Sequence, residues 1–491
     1  MSVVAVVVAG RIQAQEPPFP SPPDPLLEAP PAEDPPTAVS GEPGEGWPDG
    51  AVAIGLAGAV ALALEGNFEV LSAADDVRAA ELGYSARRAD FFPKLTPTFD
   101  RFGDDTAFGA ELGQRLPWSG GSLVGGAVLQ SRPEEPIPLA RSSVVSFELR
   151  QPLLRGFGPN RTYFELRNSR RSREGRARAL ERSRQRIAVE VTRAFYQVVE
   201  QRALLAVARQ SLRRSQSLQS ASEARLAVGL VSKLDVFRAQ LQAAQAQESM
   251  VRAQASLDDA LERFRFLLGR PPGDGLQPEA VSLPEELPAD VEPVEVLVPR
   301  ALANRLDLHE SRDEVEDARR FSSVARQNLL PQLDLRVGWV GRGLGPSYGG
   351  AWRTADRQLT WGLETSFPLE RSSDRADRAL AEIQVATRER TLRQRELEIE
   401  SEVRRAWRDL DQIRKSALLQ KAAREVAEQQ HRLATLRYQR GLASNFDVVE
   451  AEESLVLARS ALVSLLARYQ VERVDLLRTL GTLDVEREFA R

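Results

Sequence analysis

The chain has 491 residues, a net charge of −4, 28% charged side chains and only 6% aromatic ones. This near balance of charge gives no footing for nucleic acid, and so few aromatics suit long solvated helices better than a large globular core. The absence of cysteine removes disulfides, thiolate metal sites, cysteine catalysis and a lipidated N-terminal cysteine; two histidines, His309 and His431, leave little for an imidazole site.

Residues 1–14 read as a secretory signal-like segment without its basic beginning, and 15–50 as a proline-dense, semi-extended linker. The longest apolar run, Ala51–Leu64, falls short of the roughly 18 residues of a spanning helix, so any membrane span must be made of strands. A helical pattern over 51–92 closes at Phe91-Phe92-Pro93. Alternation near 95–102 and 143–150 predicts strands with two different faces. Between them, 106–116 and 122–130, around Trp118-Ser119-Gly120-Gly121, leave a further hairpin open. A very long helix follows over about 160–228, with a heptad seam at Ile187, Val191, Ala194, Val198, Gln201 and Leu205 that demands lengthwise packing. Gly229 supplies the left-handed residue that ends it, and Ser232 with Asp235 forms a capping box that starts another helix, to about 268. A Pro/Glu-rich connector occupies 270–296.

Then the pattern runs again. Gly229, Ser232 and Asp235 recur as Gly441, Ser444 and Asp447, and Val191 and Leu268-Gly269 as Val403 and Leu480-Gly481, all at a spacing of 212. Pro93 recurs as Pro331 and Pro152 as Pro368, so the first strand region is longer by 22 residues. Such register over two copies predicts a tandem repeat, 51–269 (strands 95–152) and 297–481 (strands 332–368), with a tail at 482–491. In the second copy, Leu333, Leu335, Val337 and Trp339 alternate with Asp334, Arg336 and Gly338, and Leu359, Trp361 and Leu363 do likewise. Apolar-out, polar-in alternation with aromatics is what a water-filled barrel in lipid requires. Each long helix spans about 70 residues, ~100 Å, and the two shorter helices of its repeat add up to nearly the same length. Stacked end to end beside the long helix, they make a rod with strands at one end and both tips at the other. Four strands close a barrel poorly, so oligomerisation is expected.

Over about 51–481 the chain resembles the TolC-type outer-membrane efflux protein family, through the duplicated tip, Pro152-Leu153 and Pro368-Leu369, and the strand starts at Pro93 and Pro331. The resemblance implies a mainly α chain with a membrane β-barrel. It would be a homotrimer with a 12-stranded barrel in outer-membrane lipid and a trimeric α-barrel as periplasmic tunnel, the connector 270–296 lying at the equator. It implies a passive exit duct for efflux or type I secretion in a Gram-negative-type cell, docked to a periplasmic adaptor and an inner-membrane pump, with no catalysis, cofactor or metal. Asp447 and Glu450 match carboxylates that line the entrance constriction. Asp235 matches an aspartate of the closed state, and Tyr438 matches one of its partners. Ala443 stands where some members have an arginine, so any latch must be rebuilt, with Lys233 or Arg440 as candidates.

The alternative is a periplasmic coiled-coil scaffold or adaptor whose strands form a soluble sheet. Ten arginines between 161 and 186 read as a solvated helix face, and the glycine-rich 341–350 as a loop between strands, since it lacks the Lys-Ser/Thr of a phosphate loop. His309 and His431 read as isolated side chains.

Overall fold

The computed structural model describes residues 52–103, 105–134, 137–288, 290–353 and 356–489. The signal-like segment and the proline-dense linker lie outside them. The first repeat runs β1 (Val52–Ile54), α1 (Leu56–Gly66), α2 (Phe68–Ala89), β2 (Lys94–Phe102), β3 (Asp105–Arg115), β4 (Ser122–Glu134), β5 (Ile137–Pro152), α3 (Pro159–Thr162), α4 (Phe164–Ala227) and α5 (Lys233–Leu267). In the connector, β6 (Leu276–Pro278) pairs in parallel with β1. The second repeat runs α6 (Val294–Asn304), α7 (Leu306–Asn328), β7 (Gln332–Gly345), α8 (Tyr348–Ala351), β8 (Asp356–Ser366), α9 (Ser372–Gln439), α10 (Asn445–Thr479) and α11 (Val485–Glu488).

The long helices, 64 residues in α4 and 68 in α9, are each flanked by two shorter ones. Both α2 and α5 lie on α4, and both α7 and α10 on α9. The shorter helices meet end to end. Asn67, the N-cap of α2, accepts from the Glu69 N–H at 2.9 Å and donates to the Leu267 carbonyl at the end of α5 at 3.0 Å. Arg305, before α7, reaches the Thr479 carbonyl at the end of α10 at 3.4 Å. Gly269 and Gly481, at φ +70° and +68°, turn the chain away at these joints, where a Cβ on Gly269 would collide with the Gly66 carbonyl.

Both cores sit at these joints and are built from matched residues. Ala63 and Ala301, Ile187 and Ile399, Val191 and Val403, and Leu268 and Leu480 are all buried. Burial of each larger side chain contributes roughly 1.5–3 kcal/mol. The heptad seam is therefore a real packing line in its upper half. The two hairpins join along α4 and α10. Nearer the sheet, the arginine run of α4 faces acidic residues of α7, with Arg171 and Arg178 each 2.7 Å from Asp313 and Arg182 2.6 Å from Glu310. That run is a seam between repeats. Among the described residues no single helix is long and apolar enough to cross a membrane; α1 and α2 pass that test only as a pair bent by 49°, and α1 is packed into the first core.

The strands form one antiparallel sheet of six in the order β2-β3-β4-β5-β7-β8. The expectation of twelve strands in three copies counted two from each repeat; the first repeat supplies four, because the hairpin left open between 106 and 130 forms as β3 and β4, and the 22 extra residues fall in that region. Three copies would hold eighteen strands, where twelve were expected. The register aligns Leu95, Leu112, Gly125, Phe147, Trp339 and Leu359 in one row across all six strands. Leu95, Leu112, Phe147 and Leu359 on that face are exposed. The opposite face carries ion pairs, Arg150 to the buried Asp334 and Arg336 to Glu364, each at 2.6 Å.

Candidate functional site

The two tips share one backbone solution. At the first, Gly229 has φ +74°, and the N–H groups of Gly229 and Leu230 return to the Leu226 and Arg225 carbonyls, both at 2.9 Å. At the second, Gly441 has φ +72°, and Gly441 and Leu442 return to Tyr438 and Arg437 at 3.0 and 2.9 Å. Each following helix opens on a complete capping box. The Ser232 N–H donates to Asp235 Oδ2 at 3.2 Å while Asp235 N–H donates back to Ser232 Oγ at 3.2 Å. Ser444 N–H donates to Asp447 Oδ2 at 2.7 Å and Asp447 N–H to Ser444 Oγ at 3.4 Å. These bonds from Ser444, N–H first and then hydroxyl, hold the Asp447 carboxyl below the usual aspartate range. Asp447 and Glu450 are exposed, three residues apart on the first turns of α10, and so project from one face.

The tips are tied to each other around Tyr438 by three residues that the sequence did not single out, Arg225, Ser222 and Asn445. Arg225 on α4 donates to the Tyr438 carbonyl at 2.8 Å and the Gln439 carbonyl at 3.1 Å, and its guanidinium lies 4.2 Å from the Tyr438 ring centre. The Tyr438 hydroxyl shares a 3.1 Å hydrogen bond with Ser222, and the buried Asn445 donates to the Asp235 carbonyl at 2.8 Å. Within the chain, then, Tyr438 meets Arg225 and Ser222, whereas the Asp235 side chain serves its own cap. The tie across the tips runs through Arg225 rather than Lys233 or Arg440.

Further from the tip, Glu452 on α10 is buried between the hairpins. Arg214 of α4 grips it with two bonds of 2.7 and 2.8 Å, and His431 Nε2 of α9 lies 3.1 Å away. Burial alone would push this carboxyl up; the bonds from His431 and Arg214 and the arginine's charge outweigh it and hold it below the usual glutamate range. His431 is thus a member of a cluster rather than an isolated ring. A cleft of about 480 Å³ beside it is lined by Arg214, Leu218, Arg225, His431, Tyr438 and Glu452. The matched residue in the first repeat, Gln240, is exposed, so the duplication itself carried the signal that position 452 is special.

With this geometry in hand, the likenesses are specific. Nodulation protein T of Rhizobium leguminosarum bv. trifolii is 24% identical over 263 residues, which spans about half of each chain, 52% of this one and 55% of that one. The solved structure of CusC, described as forming a transmembrane channel, is similar over 88% of this chain and 93% of its own, at 19% identity and a TM-score of 0.66. The outer membrane protein VceC from Vibrio cholerae is similar over 87% and 96%, at 17% identity and a TM-score of 0.66. These structures share the fold. The family model described as outer membrane efflux protein matches residues 135–270 and 297–482, nearly all of both long-helix hairpins and the second strand pair, and the chain belongs to that family.

Proposed function

We propose that this protein is the passive exit duct of an efflux or type I secretion system. Three copies stand in the outer membrane of a Gram-negative-type cell, their sheets closing a barrel and their helices a periplasmic tunnel. The tips receive a periplasmic adaptor and an inner-membrane pump, which supplies the energy. One observation carries this reading. A sheet with a continuous exposed apolar face and a charged opposite face sits at one end of a helical rod ~100 Å long, whose far end is a pair of tied tips. A soluble scaffold has no use for Leu359, Trp361 and Leu363 exposed in a row.

At the entrance, three copies of Asp447 and Glu450 would form negative rings that favour cations. Arg225, Tyr438, Ser222 and Asn445 would hold the tips shut until a partner docks. Membrane fractionation with native mass measurement tests the main reading: a detergent-extracted trimer from the outer membrane supports it, and a soluble monomer sinks it in favour of the scaffold.

A further inference from the structure

We infer that the membrane wall of this duct takes six strands from every copy, eighteen in a trimer, and that its outer bore is about half as wide again as twelve strands would give, since barrel diameter grows roughly linearly with strand number. The inference rests on the trimeric duct proposed above. The β3–β4 hairpin is not an appendage. It lies inside the sheet, between β2 and β5, and carries ten register pairs of its own. Its outer residues continue the apolar face: Phe108 and Leu112 on β3 stand beside Phe99 and Leu95 on β2, and Leu123 and Leu129 on β4 extend the same surface. Phe147 lies over Gly125, so the row is not broken where a side chain is missing. The six strands run from 9 to 16 residues, and about 9–11 suffice to cross a bilayer.

The hairpin is also fixed at its inner end. Leu116 N–H donates to the Gly121 carbonyl at 2.7 Å across the turn, Ser119 Oγ donates to Gln151 Oε1 at 2.6 Å, and Gly158 N–H donates to the Ser119 carbonyl at 3.3 Å. The turn is therefore held to the place where β5 gives way to the long helix. The open edges are β2 and β8, each paired on one side only. Six strands are too few to close around even a packed interior, so these edges must meet between copies. The hairpin's inward positions mix small residues, Ala107, Gly109, Gly113 and Gly126, with the charged Glu111 and Arg115. None of these is a large apolar side chain, so the added circumference enlarges a polar bore. The exit suits a bulky polar cargo, and the narrowest point is left to the helical tips.

Since the natural chain has no cysteine, disulfide trapping in the full-length protein from outer membranes tests this directly. One set pairs Leu95→Cys or Phe99→Cys on β2 with Leu359→Cys or Leu363→Cys on β8; the other pairs Leu123→Cys or Leu129→Cys on β4 with the same β8 positions. We expect the first set to give covalent trimers on non-reducing gels and the second to give none. Trimers from the second set alone would mean that β2 and β3 stand outside a twelve-strand wall, overturning the inference while leaving the duct intact. Electron cryomicroscopy of the unsubstituted protein counts the strands independently: eighteen supports the inference, and twelve in a trimer overturns it. A protein that is not trimeric would remove the duct reading and this inference with it.

Discussion

At mid-rod the first repeat joins α5 to α2 with an amide, and the second joins α10 to α7 with a guanidinium. Asn67 does the first with two neutral hydrogen bonds. Beside it, Glu69 accepts from Ser183 at 2.7 Å and pairs with the exposed Arg186. The matched positions in the second repeat are Arg305, Asp307 and Arg395, and they build a charged knot: Arg305 meets Asp307 at 3.0 and 2.7 Å, and Arg395 and Glu402 complete it. The same contrast returns nearer the tips, where exposed Gln240 corresponds to buried Glu452. One backbone plan thus carries two kinds of fastening: a neutral amide flanked by one exposed ion pair in the first repeat, and a network of charges in the second.

The sharpest break in that symmetry is steric. In Gly269→Val, a side chain must enter left-handed backbone pressed against the Gly66 carbonyl, and the variant should lose more than about 3 kcal/mol and much of its assembled yield. Gly481→Val meets Arg305 N at 3.0 Å, a contact with more room, and should lose less. Thermal unfolding in detergent ranks the two; equal losses would mean that the joints are equally tight. Next comes Glu452→Ala, which strands Arg214 between the hairpins and should cost about 3 kcal/mol. Gln240→Ala should stay within about 0.5 kcal/mol.

Acid should separate the repeats without any mutation. Burial pushes Asp307 up, but the bonds from Arg305 and Arg395 overcome it and hold the carboxyl well below the usual aspartate range. Glu452 is lowered as well. A depressed carboxylate contributes stability above its unfolded pKa and loses it as pH falls through the folded value, so the second joint and the Glu452 cluster should weaken progressively below about pH 5. Hydrogen exchange should show α7 and α10 opening before α2 and α5 as pH is lowered. Simultaneous opening would refute the ionic–neutral contrast.

Smaller effects are expected at the tips. Arg225→Ala removes two carbonyl contacts and a ring contact, and should raise bilayer conductance with a stability loss of about 1–2 kcal/mol. Unchanged conductance would show that this tie does not hold the entrance shut. Asp447→Ala combined with Glu450→Ala should weaken block by multivalent cations, with only the loss of a cap, about 1 kcal/mol, in stability. Block that persists unaltered would remove both carboxylates from the entrance.

Much of this architecture was legible because its signals are local. A glycine at the helix end and a serine three residues on write each tip in one short stretch, and heptad spacing and strict alternation write the long helices and β7. The extra hairpin was harder: β3 and β4 are rich in Gly and Ala, and their alternation is faint until Phe108 and Leu129 are placed side by side. The ties were out of reach for another reason. Arg225 and Tyr438 are 213 residues apart, and Arg214 and Glu452 are 238 apart. No periodicity links such pairs, since each arginine looks like one more charge on a solvated helix. Only the mismatch between copies, glutamate where the first has Gln240, marked the place.

The bond from Asn67 to the Leu267 carbonyl spans 200 residues and sets an order for folding. The hairpin of α4 and α5 closes locally across its tip, so it can form as soon as both helices are free to fold. Helix α2, by contrast, waits for an end-to-end neighbour that comes 200 residues later in the chain. Until residue 267 has been delivered, α1 and α2 have half their partners and an uncapped far end to meet. Folding from the N-terminus therefore presents each repeat as a closed fork first and a finished rod only at the end, and the same wait recurs when Thr479 arrives for Arg305.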